Sequence, residues 1–147
     1  MGYGYGVWLV YDNNELPTKH VGHITIACFM ERDEALNLYT NIIDTVGNQE
    51  VVRLSGKPII FDTGFYEHDN NNLYSWGYSG ECDKWSNYKD ICQKYNCDFS
   101  CKPHASKEYT SIPEQLQPCE MEDMNLLCNV RCVDISKDSP YEWKIIQ

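Results

Sequence analysis

The sequence predicts an α+β domain of mostly antiparallel strands with two helices, on three observations. Short apolar segments rich in Val, Ile, Tyr and Trp recur along the chain, separated by turn residues. Only two stretches, 31–47 and 82–96, repeat their apolar residues at helical spacing. Most strand candidates follow one another through short turns, as hairpins do, instead of alternating with helices as parallel sheets require. The 147 residues, 42% hydrophobic and 13% aromatic, suffice for one sizeable core. No low-complexity stretch or Pro/Gly/Ser linker divides them, so a single domain over 1–147 is expected.

"YGVWLVY" (5–11) reads as the first strand, followed by a loop at "DNNELP". Residues 20–29 read as the second. With a side-chain period of two, His23, Thr25 and Ala27 share one face, and Ile24, Ile26 and Cys28 share the other, core-facing one. "ERDEALNLYTNIIDTVG" carries Ala35, Leu36, Tyr39, Ile42, Ile43 and Val46 at helical spacing. Glu31, Asp33 and Glu34 suit the positive end of its dipole, and Gly47 suits a left-handed cap. Residues 50–54 and 58–62 read as strand, broken or bulged at "SGKP". "GFYEHDNNNLYSWGY" reads as a hairpin with its tip at "HDNNN". "CDKWSNYKDICQKYN" is the second helix, with Asp83 as N-cap and a stripe of Trp85, Tyr88, Ile91, Cys92 and Tyr95. A strand near His104 follows, then "MNLLCNVRCVDIS" and "YEWKII" joined by the turn "KDSP". The total is seven or eight strands and two helices.

A net charge of −10, from 12 basic and 22 acidic residues, argues against duplex DNA or long RNA as the main partner, because gripping a phosphate chain requires clustered Lys and Arg. A small nucleotide, a short oligonucleotide or an RNA end needs only a few local donors and is compatible with that balance. No apolar run approaches the roughly 20 residues that span a bilayer, so no membrane partner is expected. The opening "MGYGYGVWLVYDNN" lacks a basic n-region and a small-residue cleavage site, which predicts that it is not a signal peptide. Gly6 also stands where an acylation signal wants Ser or Thr. The expectation is a soluble, cytoplasmic monomer whose eight cysteines are reduced. The cysteines include no C-x-x-C. The nearest spacings are Cys97 to Cys101 and Cys128 to Cys132; on a strand the latter two are too far apart to clamp one ion without a turn. The cysteines therefore read mainly as small buried hydrophobes, with a cysteine-rich zinc scaffold as a third reading.

The chemistry-bearing pattern is a repeated one. "HITI" (23–26) and "HASK" (104–107) each place an imidazole and a hydroxyl on one face of a strand: His23 with Thr25, and His104 with Ser106. If the two strands lie side by side, two rings and two hydroxyls converge. One neutral imidazole can then take a proton from an attacking oxygen while the other, protonated, gives one to the departing oxygen. The hydroxyls donate to the non-bridging oxygens of a phosphodiester. That scheme needs no cofactor and no metal, and no carboxylate-rich phosphate–metal motif is visible. Each helix lies near one of the two motifs, which points to two similar halves.

The pair of motifs, about 80 positions apart, resembles the signature of the two-histidine (2H) phosphoesterase superfamily, H-hydrophobic-[ST]-hydrophobic. "HITI" matches in full. "HASK" departs at its fourth position, where Lys107 replaces an apolar residue and predicts that the strand ends or turns early. The resemblance implies a two-lobed, pseudo-symmetric fold with the helices packed outside. It also implies metal-independent hydrolysis of cyclic nucleotides, 2′–5′-linked oligonucleotides or 2′,3′-cyclic phosphate RNA ends, or trimming of RNA tails. It assigns His23 and His104 as acid and base, and Thr25 and Ser106 as phosphate-binding hydroxyls.

For substrate binding, Tyr109, Trp76 and Tyr78 are candidates to stack on a base, and Lys102 and Lys107 to add positive potential beside His104. His20 falls on the opposite face from His23 in a regular strand and reads as structural or surface. His68, at the hairpin tip, reads as solvated. The alternative, from a different functional class, is a catalytically silent nucleotide-binding or interaction module on the same scaffold.

Overall fold

The computed structural model describes residues 4–66 and 71–147. Its elements are β1 (Tyr5–Val10), β2 (His23–Met30), α1 (Arg32–Thr45), β3 (Gln49–Tyr66), β4 (Asn72–Glu81), α2 (Trp85–Cys92), β5 (Asp98–Phe99), β6 (His104–Thr110), β7 (Met124–Asp134) and β8 (Lys144–Ile145). Short 3₁₀ turns lie at Pro113–Gln115 and Pro140–Glu142. The architecture is α+β, an eight-stranded antiparallel sheet with two helices, in line with the sequence pattern. His68 lies outside the described residues. Among the described residues, no helix is long and apolar enough to cross a membrane.

The strands run in the order β1-β2-β6-β4-β3-β7-β8, with β5 beside β2. The pairing closes on itself, because Met124–Asn129 of β7 pair with β3 and Asn129–Asp134 pair with β1. β1 is consequently buried on both faces. Val7 and Leu9 join the main core with Ile24, Ile26, Leu38 and Leu126, while Trp8 points the other way. There it packs with Cys28, Val133, Ile135 and Trp143 in a smaller cluster. The helix α1 buries Ala35, Leu38 and Ile42 against β1 and β7, a stripe centred on Leu38. Removing a buried Leu of this kind from water contributes about 1.5–3 kcal/mol. The helix stops where Val46 and Gly47 both donate to the Ile42 carbonyl, at 2.8 and 3.2 Å, with Gly47 at φ +120°.

Several boundaries depart from the sequence expectation. β2 begins at His23, and residues 20–22 are irregular. Within β2, the partners Trp8↔Thr25, Val7↔Ala27 and Tyr5↔Met30 leave two extra residues on the β2 side. These bulges exchange the faces assigned to Ala27 and Cys28: Ala27 enters the main core and Cys28 the smaller cluster. Of the two readings at "SGKP", broken or bulged, the bulge is the one found: β3 is one strand with a bulge at 55–57. α2 is shorter than predicted, and Asp83 does not cap it; its carboxylate accepts from Arg53 at 3.1 Å. Of "YEWKII", only Lys144 and Ile145 form a strand. β6 does not end at Lys107. It bulges there, since Trp76 pairs with Glu108 while Gly77 pairs with Ser106.

Candidate active site

The strands β2 and β6 meet at Ile24↔Ala105, both fully buried in the main core. One step either way in an antiparallel register sets His23 opposite Ser106 and Thr25 opposite His104, on the face away from that core. All four side chains line one cavity of about 390 Å³. Diagonal partners in such a pairing are roughly 7–8 Å apart at the backbone, and both rings border the same cavity.

The two imidazoles are held alike. Nδ1 of His23 donates to the Val21 carbonyl at 2.7 Å, and Nδ1 of His104 donates to the Lys102 carbonyl at 3.2 Å. A carbonyl only accepts, so each neutral ring carries its proton on Nδ1 and keeps the Nε2 lone pair for chemistry. His23 is 4% exposed and stacked on Trp8, with centroids 3.5 Å apart and planes 8° off parallel. Trp143 meets it edge-on at 6.3 Å. Burial is the largest influence on His23, and repulsion from His20 and His104 adds to it; together they push its pKa down to about 3, so it is neutral at pH 7. Burial also lowers the pKa of His104, which is less enclosed and touches Phe61 edge-on at 4.8 Å.

Tyr109 lines the cavity, and burial pushes its phenol up to about 12, so it remains a donor at neutral pH. Cys28 also lines the cavity. Burial raises its thiol to about 12, which leaves it protonated and a poor nucleophile.

The other expected binding residues stand elsewhere. Trp76 and Tyr78 belong to the main core, and the Tyr78 hydroxyl donates to the Cys119 carbonyl at 2.5 Å. Their strand β4 turns them to the buried side, so neither ring can meet a base in the cavity. The Lys102 side chain lines a separate groove with Arg53 and Asp123, and contributes only its carbonyl, to His104. The bulge carries the Lys107 ammonium away to the Pro17 carbonyl. Among the described residues, no Lys or Arg lines the cavity, whereas Asp62 and Asp98 do.

Sequence reasoning missed the aromatic wall of Trp8, Trp143, Phe29, Phe61, Phe65 and Phe99 around the motif residues. Trp8 had a local signal, since it alternates with core-facing Val7 and Leu9. His20 is neither at the surface nor on the opposite face from His23: it is 3% exposed, 5.6 Å from the His23 ring and 5.0 Å from Tyr109. Of the eight cysteines, all are free thiols and five are buried. Among the described residues, no group of three or more His, Cys, Asp or Glu is placed to hold a metal ion.

No family model, curated protein or solved structure matches the chain.

Proposed function

We propose that the chain is a metal-independent phosphodiesterase of the two-histidine kind, acting on a cyclic nucleotide, a 2′–5′-linked oligonucleotide or a 2′,3′-cyclic phosphate RNA end. One observation carries the proposal: His23, Thr25, His104 and Ser106 line a single cavity, with both rings in the Nδ1–H tautomer. His23 is the base, because its burial keeps Nε2 unprotonated. It takes a proton from water as the water oxygen attacks phosphorus. His104 is the acid; its greater exposure lets it take up a proton when the diester anion arrives between the rings and raises both pKa values. As the phosphorus–oxygen bond to the leaving group breaks, His104 passes that proton to the departing oxygen. Thr25 and Ser106 donate to the non-bridging oxygens in the transition state. Under this proposal the strands carrying the two motifs form the seam of a two-lobed fold.

His23→Ala and His104→Ala are each expected to lower turnover by about 10² to 10⁴-fold with the circular-dichroism spectrum unchanged. Activity on a panel of cyclic and 2′–5′-linked nucleotides is expected to survive EDTA. Full activity in either variant, or loss of activity with the chelator, rejects the mechanism. The low pKa of His23, together with that of His104, favours one second scheme, a binding module with no protonated ring at neutral pH. Tight binding without product on the same panel would identify it.

A further inference from the structure

The second bulge of β2 places Cys28 and Phe29 opposite the single residue Gly6. Phe29 has φ +61°, a left-handed backbone, and it alone has positive φ among the described non-glycine residues. Glycine is the usual occupant of such a bulge position, because a Cβ crowds the backbone there; a bulky aromatic residue is a rare one. Phe29 is nevertheless 42% exposed, so core packing does not account for its ring. What the bulge achieves is an aim: Cys28 and Phe29, although consecutive, both line the histidine cavity. The Phe29 ring lies 5.3 Å from that of Phe65, tilted by 37°. Phe65 meets Trp143 at 5.2 Å, and Trp143 meets His23 at 6.3 Å. A run of aromatic rings therefore leads from the exposed mouth to the first imidazole. Among the described residues, the lining contains no Lys or Arg to hold a second phosphate.

We infer that Phe29 and Phe65 form a stacking platform for a nucleobase beside the scissile phosphate, so that the substrate is a base-flanked diester and not a sugar or lipid diester. Every base offers a π-face, and losing one stacking partner weakens binding by about 10-fold. The inference rests on the phosphodiesterase proposal for the phosphate site, but the platform itself is tested without turnover.

Phe29→Gly removes the ring and supplies the residue that the backbone conformation favours. Its Tm is expected to equal or exceed that of the wild type, while tryptophan fluorescence reports about 10-fold weaker Kd for a hydrolysis-resistant dinucleoside phosphorothioate. Binding of dimethyl phosphate, which has no base, stays the same. Phe65→Leu, on the neighbouring wall and without the strained backbone, gives the same selective loss. Unchanged dinucleoside affinity in both variants overturns the platform. Ring-dependent binding with no hydrolysis by the wild type keeps the platform and rejects the chemistry instead.

Discussion

His20→Phe removes a buried imidazole that the structure leaves unsatisfied, and its effect on stability can be worked out in both size and sign. His20 is 3% exposed, and neither ring nitrogen has a hydrogen-bond partner; the nearby Ser106 backbone does not meet either one in bonding geometry. Burial, with a smaller contribution from Lys107, pushes its pKa from 6.5 down to about 4. Below pH 6.5 the unfolded chain therefore binds a proton that the folded chain refuses, so stability falls as pH falls. Between pH 7 and pH 5 that linkage amounts to about 2 kcal/mol for His20, and to about 2 kcal/mol more for His23. His20→Phe is expected to halve the summed loss from these two groups. It also ends the burial of two unpaired polar atoms and adds about 1–2 kcal/mol of stability at pH 7. Any share from His104 is common to both proteins. Urea unfolding at pH 7 and pH 5, followed by circular dichroism, measures both effects. A variant less stable than the wild type at pH 7, or equally acid-sensitive, would refute the reasoning.

Gly77 is a second structural test. A Cβ there would stand 1.9 Å from the Ala105 carbonyl oxygen, which is backbone and cannot swing aside. Gly77→Ala is expected to cost about 1–3 kcal/mol and, by displacing β6, to lower turnover more than the stability loss explains; wild-type kcat in the folded variant would show that the β4–β6 contact does not set the site. Lys102→Met and Lys107→Met probe the opposite expectation. Because neither ammonium reaches the cavity, KM for a dinucleotide is expected to stay within about twofold, where loss of a charge-assisted contact to substrate would cost about 1.5–3 kcal/mol and raise KM about 10-fold or more; steady-state kinetics decides.

What could be read from the sequence was whatever depends on local period and local caps. α1 announced itself through Ala35, Ile42 and Gly47, and the two motifs through their alternation, because three residues on one strand share a face without reference to anything distant. The misses came from long-range pairing. Ala27 and Cys28 changed faces because the extra residues of β2 are defined only against β1. Trp76 and Tyr78 share a strand with Gly77, and nothing local shows which face of β4 packs into the main core. Trp143 comes from the last ten residues and reaches His23 only through the closure of β7 on β1. His20 is assigned to the wrong face when regular strand geometry is extended three residues too far, since β2 starts only at His23.

The irregularities also explain why two short motifs suffice to build the site. A one-residue slip in a strand turns every later side chain to the other face, so a bulge inside either motif would separate its ring from its hydroxyl. In both strands the bulge falls just beyond the hydroxyl residue, after Thr25 in β2 and after Ser106 in β6. Each motif thus keeps its period, and the slip acts only on the residues beyond the hydroxyl. Continued alternation in β6 would have sent Glu108 into the cavity, setting a carboxylate against an anionic substrate. The bulge turns Tyr109 inward instead and releases Lys107 toward Pro17. In β2 it exchanges Ala27 for Cys28, and the second bulge then brings Phe29 to the mouth. Lys107, the residue that breaks the apolar pattern of the second motif, marks the place where that pattern should stop: an apolar side chain there would be carried outward by the same bulge, into contact with water.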